Sequence, residues 1–249
     1  IMHSFRPGAT EFNEETNSTT NIDTTIETSF VNAAEISAYI EDDIQIGARL
    51  KANIGLHLSG FAVNNSFYWS IQPRLSARYL FRENWSAKVS YAMMSQYIHL
   101  LSNFGVGLPT DLWVPATDLI QPQESHQVAA GLVHTFKEDY EVSLEGYWKL
   151  MKNIIEYKDG ATFLEDGTSD WQTKVESGKG WSYGAELFIQ KKFGDFTGWA
   201  GYTLSWTNRQ FPTLNGGEKF DYKYDRRHDF SVVGIYKFND RIEISGTWV

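Results

Sequence analysis

The sequence predicts an all-β protein, an antiparallel transmembrane β-barrel, on three observations. The first is a series of long stretches in which every second residue is apolar. The clearest is 68–81, YWSIQPRLSARYLF. Trp69, Ile71, Pro73, Leu75, Ala77, Tyr79 and Phe81 stand on one side, against Ser70, Gln72, Arg74, Ser76 and Arg78. A period of two is a strand with one apolar and one wetted face. Soluble strands usually run about 5–6 residues, whereas a tilted bilayer crossing needs about 9–11 with aromatics at both interfaces. The second observation is that short turns and long connections mostly alternate along the chain. The third is a 15% aromatic content beside a mean hydropathy of −0.38. The polar lumen and loops of a barrel dilute its average in this way.

The elements follow in order. The opening IMHSF reads as the end of a strand. Residues 35–46 place Ile36, Ala38, Ile40, Ile44 and Ile46 together, with Asp42 breaking that face, which predicts a position near water. Residues 49–62 align Leu50, Ala52, Ile54, Leu56 and Leu58 against Lys51, Asn53 and His57; then comes 68–81. Residues 86–99 set Ala87, Val89, Tyr91 and Met93 against Lys88, Ser90 and Gln96. Residues 127–136 follow. In 141–152, Val142, Leu144, Trp148 and Leu150 oppose Glu141, Ser143, Glu145 and Lys149. In 181–192, Trp181, Tyr183, Ala185, Leu187 and Ile189 oppose Ser182, Glu186 and Gln190. Residues 198–208, 228–238 and 241–249 complete eleven strands. Trp69, Tyr79, Trp85, Trp148, Trp181 and Trp248 read as interfacial girdle residues.

Short turns fall at Gly47-Ala48, Glu83-Asn84, Glu138-Asp139, Gly194-Asp195 and Asn239-Asp240, with the residue types that tight hairpins need. Long connections span 6–34, 102–125, 159–179 and 209–227; a short one at Asn64-Asn65 is the exception. Short turns on one rim and long loops on the other is the layout of outer-membrane barrels. The threonine- and glutamate-rich stretch 11–28 reads as a flexible loop. Eleven is odd, and lipid does not tolerate open strand edges. The chain therefore reads as one partial barrel domain over 1–249, internal to a longer protein.

Several function classes drop out. No apolar run is long enough for a transmembrane helix. Cysteine is absent, which removes thiolate chemistry and disulfides. The net charge of −9 disfavours nucleic acid and suits cationic or metal-chelate ligands. No hydrolase, P-loop or dinucleotide motif is present, and the six histidines are scattered, so no catalytic residue, metal site or cofactor is expected.

The stretches SAYIEDDIQI (37–46), IQPRLSARYLF (71–81), PQESHQVAAGL (122–132), 181–211 and YDRRHDFSVVGIYKF (224–238) resemble the C-terminal half of the barrel of TonB-dependent receptors, especially those of Bacteroidota. Tyr183-Gly184-Ala185-Glu186-Leu187, Gly198-Trp199, Tyr202-Thr203-Leu204-Ser205 and Asp225-Arg226-Arg227-His228-Asp229 carry the likeness. The resemblance implies a 22-stranded barrel with an N-terminal plug, of which this chain would hold about strands 9 to 19. It implies active nutrient import across the outer membrane of a Gram-negative bacterium. The partners would be outer-membrane lipid, TonB acting through the plug, and in some systems a surface lipoprotein. The ligand class stays open among iron chelates, cobalamin, glycans and peptides. The resemblance also makes the Asp225–Asp229 cluster structural, its charges pairing at the rim and across the lumen.

Ligand contact is expected from the long loops: Asp111, Trp113, Trp171, Arg209, Tyr222 and Tyr224. Bare aromatics in a wetted loop gain only by packing on each other or on a ligand. Two rival readings stand beside import. A soluble all-β glycan-binding protein would bury its apolar strand faces against a second sheet. An outer-membrane barrel enzyme would align a serine, such as Ser143 or Ser182, with a histidine. A passive porin is a further alternative that the resemblance disfavours.

Overall fold

The computed structural model describes residues 1–5, 10–13, 23–26, 31–101, 112–137, 139–161 and 171–249. Its strands are β1 (Met2–Phe5), β2 (Thr10–Asn13), β3 (Asp23–Ile26), β4 (Val31–Ile46), β5 (Leu50–Val63), β6 (Ser66–Arg82), β7 (Trp85–Gln96), β8 (Ile98–Leu101), β9 (Leu112–Pro115), β10 (Gln123–Phe136), β11 (Tyr140–Tyr157), β12 (Val175–Lys191), β13 (Phe196–Gln210), β14 (Phe220–Asp221), β15 (His228–Asn239) and β16 (Ile242–Trp248). One short helix, α1 (Trp171–Lys174), precedes β12.

Eleven strands pair antiparallel in the order β1-β4-β5-β6-β7-β10-β11-β12-β13-β15-β16, with β14 added beside β13. Every neighbour is a chain neighbour among the long strands, so this is an up-and-down wall. β1 and β16 stand at its two ends, and the sheet is not closed. Among the described residues no helix is long and apolar enough to cross a membrane.

The register puts the alternating residues of each strand into rows. One row runs Ile46, Leu50, Tyr79, Ala87, Leu132, Leu144, Leu187, Tyr202 and Phe230. Another runs Ile54, Leu75, Tyr91, Val128, Trp148, Tyr183 and Trp206. Among the described residues nothing covers this face: Ile71 and Leu75 are each 45% exposed. A soluble sandwich would bury those side chains against a second sheet, so the bare face excludes that architecture. The opposite face carries Asn53, Ser76, Ser90, Glu145, Glu186 and Thr203. All six expected girdle aromatics fall on the bare face. From Tyr140 to Leu150, the partner of Trp181, a strand rises about 33 Å. At a tilt near 40° that is about 25 Å of height, the thickness of a barrel's apolar band. On the turn side Trp85, His134, Phe136 and Tyr140 stack ring on ring, at centroid separations of 4.1, 5.7 and 4.9 Å. Asp42 pairs with Ile54 on the same bare face, four residues before the end of β4.

The long connections hold more structure than expected. The backbones of β2 and β3 pair as a hairpin inside the stretch read as a flexible loop; 14–22 lie outside the described residues. The strand expected over 86–99 stops at Gln96, and β8 and β9 form a separate hairpin. Pro73 explains the opening that this hairpin fills. The β6–β7 ladder begins at Arg74↔Ala92, just after the one residue that has no N–H to donate. Beyond it, Tyr97 docks on the wall. Its hydroxyl lies 2.7 Å from Ser59 Oγ, which accepts from Gln72 Nε2 at 2.8 Å, and its ring stacks on Phe61 at 4.9 Å. Tyr97 and Ala116 pack with Phe61, Val63 and Val31, while Leu101, Val114 and Ile120 pack with Ile155, Tyr157 and Val175. The connection is thus wedged between two tall parts of the wall.

Candidate functional site

The tops of β11, β12 and β13 carry a cluster of charged and aromatic groups. It begins with a bulge between Lys152 and Ile154, where Asn153 turns at φ 56°. The extra residue brings Glu156 level with Glu176, on the same face as Gly180 and its partner Arg209. Arg209 Nη1 lies 2.8 Å from Glu156 Oε2, and both side chains are largely buried. The Arg209 guanidinium also sits 3.4 Å from the centre of the Tyr222 ring. Tyr222 meets Tyr224 edge-on at 5.3 Å. Burial raises the Glu156 carboxyl above its usual range, against the pull of Arg209 and Lys223. Glu156 Oε1 and Arg209 Nε are buried without a partner, so this pair retains one acceptor and one donor.

The 211–227 connection is pinned over this pair. Glu176 accepts from Thr213 Oγ1 at 2.9 Å and from the backbone N–H of Leu214 at 3.2 Å. Phe211 is buried at the base, and β14 pairs with Asn208 and Arg209. Lys219 Nζ lies 3.8 Å above the Trp181 ring. Below, Arg227 joins Asp225 at 2.9 Å, and Asp225 Oδ1 accepts the Thr207 N–H at 2.6 Å. Arg226 pairs with Asp229 at 3.4 Å, and Tyr202 Oη lies 2.7 Å from His228 Nδ1. The charges of 225–229 therefore pair at the rim, and they hold the connection in place.

Of the residues expected to contact ligand, Arg209, Tyr222 and Tyr224 come together here. Tyr224 is 62% exposed. Trp113 stands apart on β9, half-exposed, beside a recess of about 420 Å³ that also touches Phe5, Glu35 and Tyr97. Trp171 is only 6% exposed; it packs with Leu101, Val114 and Tyr157 and supports the loop from within. Asp111 lies outside the described residues. Sequence reasoning missed Glu156, Glu176 and Lys219. Glu156 left a signal, a lone carboxylate in the apolar run Ile154-Ile155-Glu156-Tyr157.

Ser182 Oγ faces Thr207 Oγ1 at 3.3 Å, and Ser143 pairs with Val133 and Phe188. Neither serine has a histidine partner, so the pair that a barrel hydrolase needs is not assembled at either position. Among the described residues no cluster of histidine and carboxylate side chains could hold a metal ion.

The family described as TonB dependent receptor-like, beta-barrel, matches residues 3–248. The chain belongs to this family. The sheet also superposes on solved structures. One is the FrpB iron transporter from Neisseria meningitidis, with a TM-score of 0.62 and 14% identity over 87% of this chain and 32% of that one. The ferripyoverdine receptor of the Pseudomonas aeruginosa outer membrane gives a TM-score of 0.62 and 17% identity over 90% of this chain and 29% of that one. The ferric-catecholate import receptor Fiu from K12 E. coli gives 0.60 and 15%, over 90% and 35%. The chain spans about a third of the length of these structures. No curated protein matches it in sequence.

Proposed function

We infer that this TonB-dependent receptor barrel chain is wall and loop material of an outer-membrane importer in a Gram-negative bacterium, of the Bacteroidota type. Residues 1–249 form one part of a larger barrel domain, whose plug and remaining strands belong to the same receptor. The observation that carries this is the one bare apolar face running across eleven paired strands, backed by the family match. Such a face is stable only in hydrocarbon, and a polar opposite face needs a water-filled interior. The wall is a rigid support, and ligand capture falls to the long connections. Arg209, Tyr222 and Tyr224 form the leading contact group, Trp113 a second, and Trp171 holds the loop between them. TonB drives import through the plug, and a surface lipoprotein partner would meet the long connections.

The imported nutrient is an iron chelate, cobalamin, glycan or peptide. Three structural relatives are named for iron or ferric ligands, so a ferric chelate is the first to try. The test is uptake of radiolabelled ferric chelates by cells expressing the full-length receptor, with and without TonB. Uptake that stops without TonB and falls in Arg209→Ala and Tyr222→Ala is expected. Uptake indifferent to TonB would mean a passive pore. No uptake of any of the four ligand classes would refute import.

A further inference from the structure

The bare face does not end in apolar side chains. Two residues past the Leu150–Trp181 pair, on the same face and toward the long connections, Lys152 stands directly opposite Lys179. Side chains paired in this way are about 5 Å apart at Cβ, and like charges there destabilise a sheet. A third cation joins them, for Lys219 Nζ lies 3.8 Å above the Trp181 ring. All three lysines are exposed, and among the described residues none is in an ion pair. Glu124 faces Lys152 from β10 without pairing with it. Asp221, the nearest acid to Lys219 on its own strand side, is held by Asn208 at 2.6 Å and Arg227 at 3.8 Å.

Height along the wall decides what meets these cations. The apolar band of about 25 Å closes at Leu150 and Trp181. Two more residues of a strand tilted near 40° add about 5 Å, which sets Lys152 and Lys179 at headgroup depth on the long-loop side. A lysine at the bilayer midplane would be costly, whereas at this depth it meets lipid phosphates. Beside Lys179 a recess of about 330 Å³ opens between β12 and the 211–227 connection, lined also by Ser177, Gln210 and Pro212.

We propose that Lys152, Lys179 and Lys219 form a site on the outer surface of the wall for the phosphate of a lipid headgroup in the outer leaflet. The site rests on the membrane reading above. Ammonium groups hold phosphate through charge-assisted hydrogen bonds, so one phosphate between Lys152 and Lys179 replaces their repulsion with two attractions. Trp181 lies just below, where an interfacial ring meets the start of the acyl chains. The site is separate from the ligand-contact group, because Arg209 and its partner Gly180 lie on the opposite face.

Native mass spectrometry of the full-length receptor, in neutral detergent at low salt, reads bound lipid directly. The probes are lipid A, a glycolipid with two phosphates, and its dephosphorylated form. Wild type should retain lipid A about tenfold or more over the dephosphorylated lipid. Lys152→Gln/Lys179→Gln should lose that preference, and Lys152→Arg/Lys179→Arg should keep it. Lys179→Gln alone serves if the double variant does not fold, and it should weaken the preference. Lys149→Gln removes a lysine from the opposite face and should keep it. Equal retention of the two lipids by wild type overturns the site. So does an unchanged preference in the glutamine variants, or an equal loss in Lys149→Gln. TonB-dependent uptake without any phosphate preference overturns this site alone. A receptor that neither imports nor inserts into vesicles overturns the membrane reading with it.

Discussion

Leu144 and Leu187 face each other directly across β11 and β12, and both are bare, at 54% and 38% exposed. One residue along each strand, Glu145 and Glu186 face each other on the other side of the same sheet. Two leucines that pair in a row of apolar neighbours and stay bare on their outer side need an apolar solvent. Two glutamates that pair need a wet one. The wall therefore separates hydrocarbon from water across a single layer of backbone.

Leu187→Arg should oppose membrane insertion. A basic residue on the lipid face costs about 2–4 kcal/mol at the bilayer midplane. Glu186→Gln, its chain neighbour on the polar face, should stay within about 0.5 kcal/mol. Urea unfolding in lipid vesicles reads both. Equal effects of the two substitutions would contradict the assignment of faces.

Arg209→Ala should destabilise the upper wall by about 3 kcal/mol, since it leaves the buried Glu156 carboxylate alone. Replacing both, as Arg209→Met with Glu156→Leu, should recover most of that loss. Proteolysis of the 211–227 connection measures it. A single variant as resistant as wild type would show that the pair does not hold the loop.

His99 gives the β8–β9 hairpin a pH limit. Its Nε2–H donates to the Gln121 carbonyl at 3.1 Å, while Nδ1 is buried without a partner. Burial pushes the imidazole down to about 4. The unfolded chain, near 6.5, binds a proton first, so this contribution is complete above pH 6.5 and is lost as pH falls toward 4. At about 1.4 kcal/mol per unit, the loss approaches roughly 3 kcal/mol. Amide exchange in Ile98–Leu101 and in residues 112–114 should accelerate over that window, beyond its intrinsic pH dependence. His99→Phe should flatten the change. Protection constant from pH 7 to 4 would contradict the prediction.

The wall was legible in the sequence because a period of two is local. Eleven strands were read and eleven form the path, with turns at Gly47, Asn84, Gly194 and Asn239 as expected. The loops were less legible, for physical reasons. β8 is four residues long and hides a histidine in its core, so no alternation announces it. The Glu156–Arg209 pair joins residues 53 apart and depends on a bulge at Asn153, which shifts every later side chain of β11 to the other face. Trp171 could be seen as a loop aromatic, but only its packing against Leu101 and Val175 shows which way it turns. Lys51, Arg78 and Lys88 were visible as single residues, but not as neighbours in one row of the polar face, because pairing register is not written in any one strand.

The most direct test of a lipid-facing wall is spin-label accessibility. The chain has no cysteine, so single cysteines can be introduced for labelling without removing any. Labels at 75, 144 and 187 should collide with oxygen dissolved in the bilayer and be shielded from a water-soluble nickel chelate. Labels at 76, 145 and 186 should show the reverse. If the two sets respond alike, or if 75, 144 and 187 are closed to both reagents, those side chains lie in a protein core and the membrane wall does not exist.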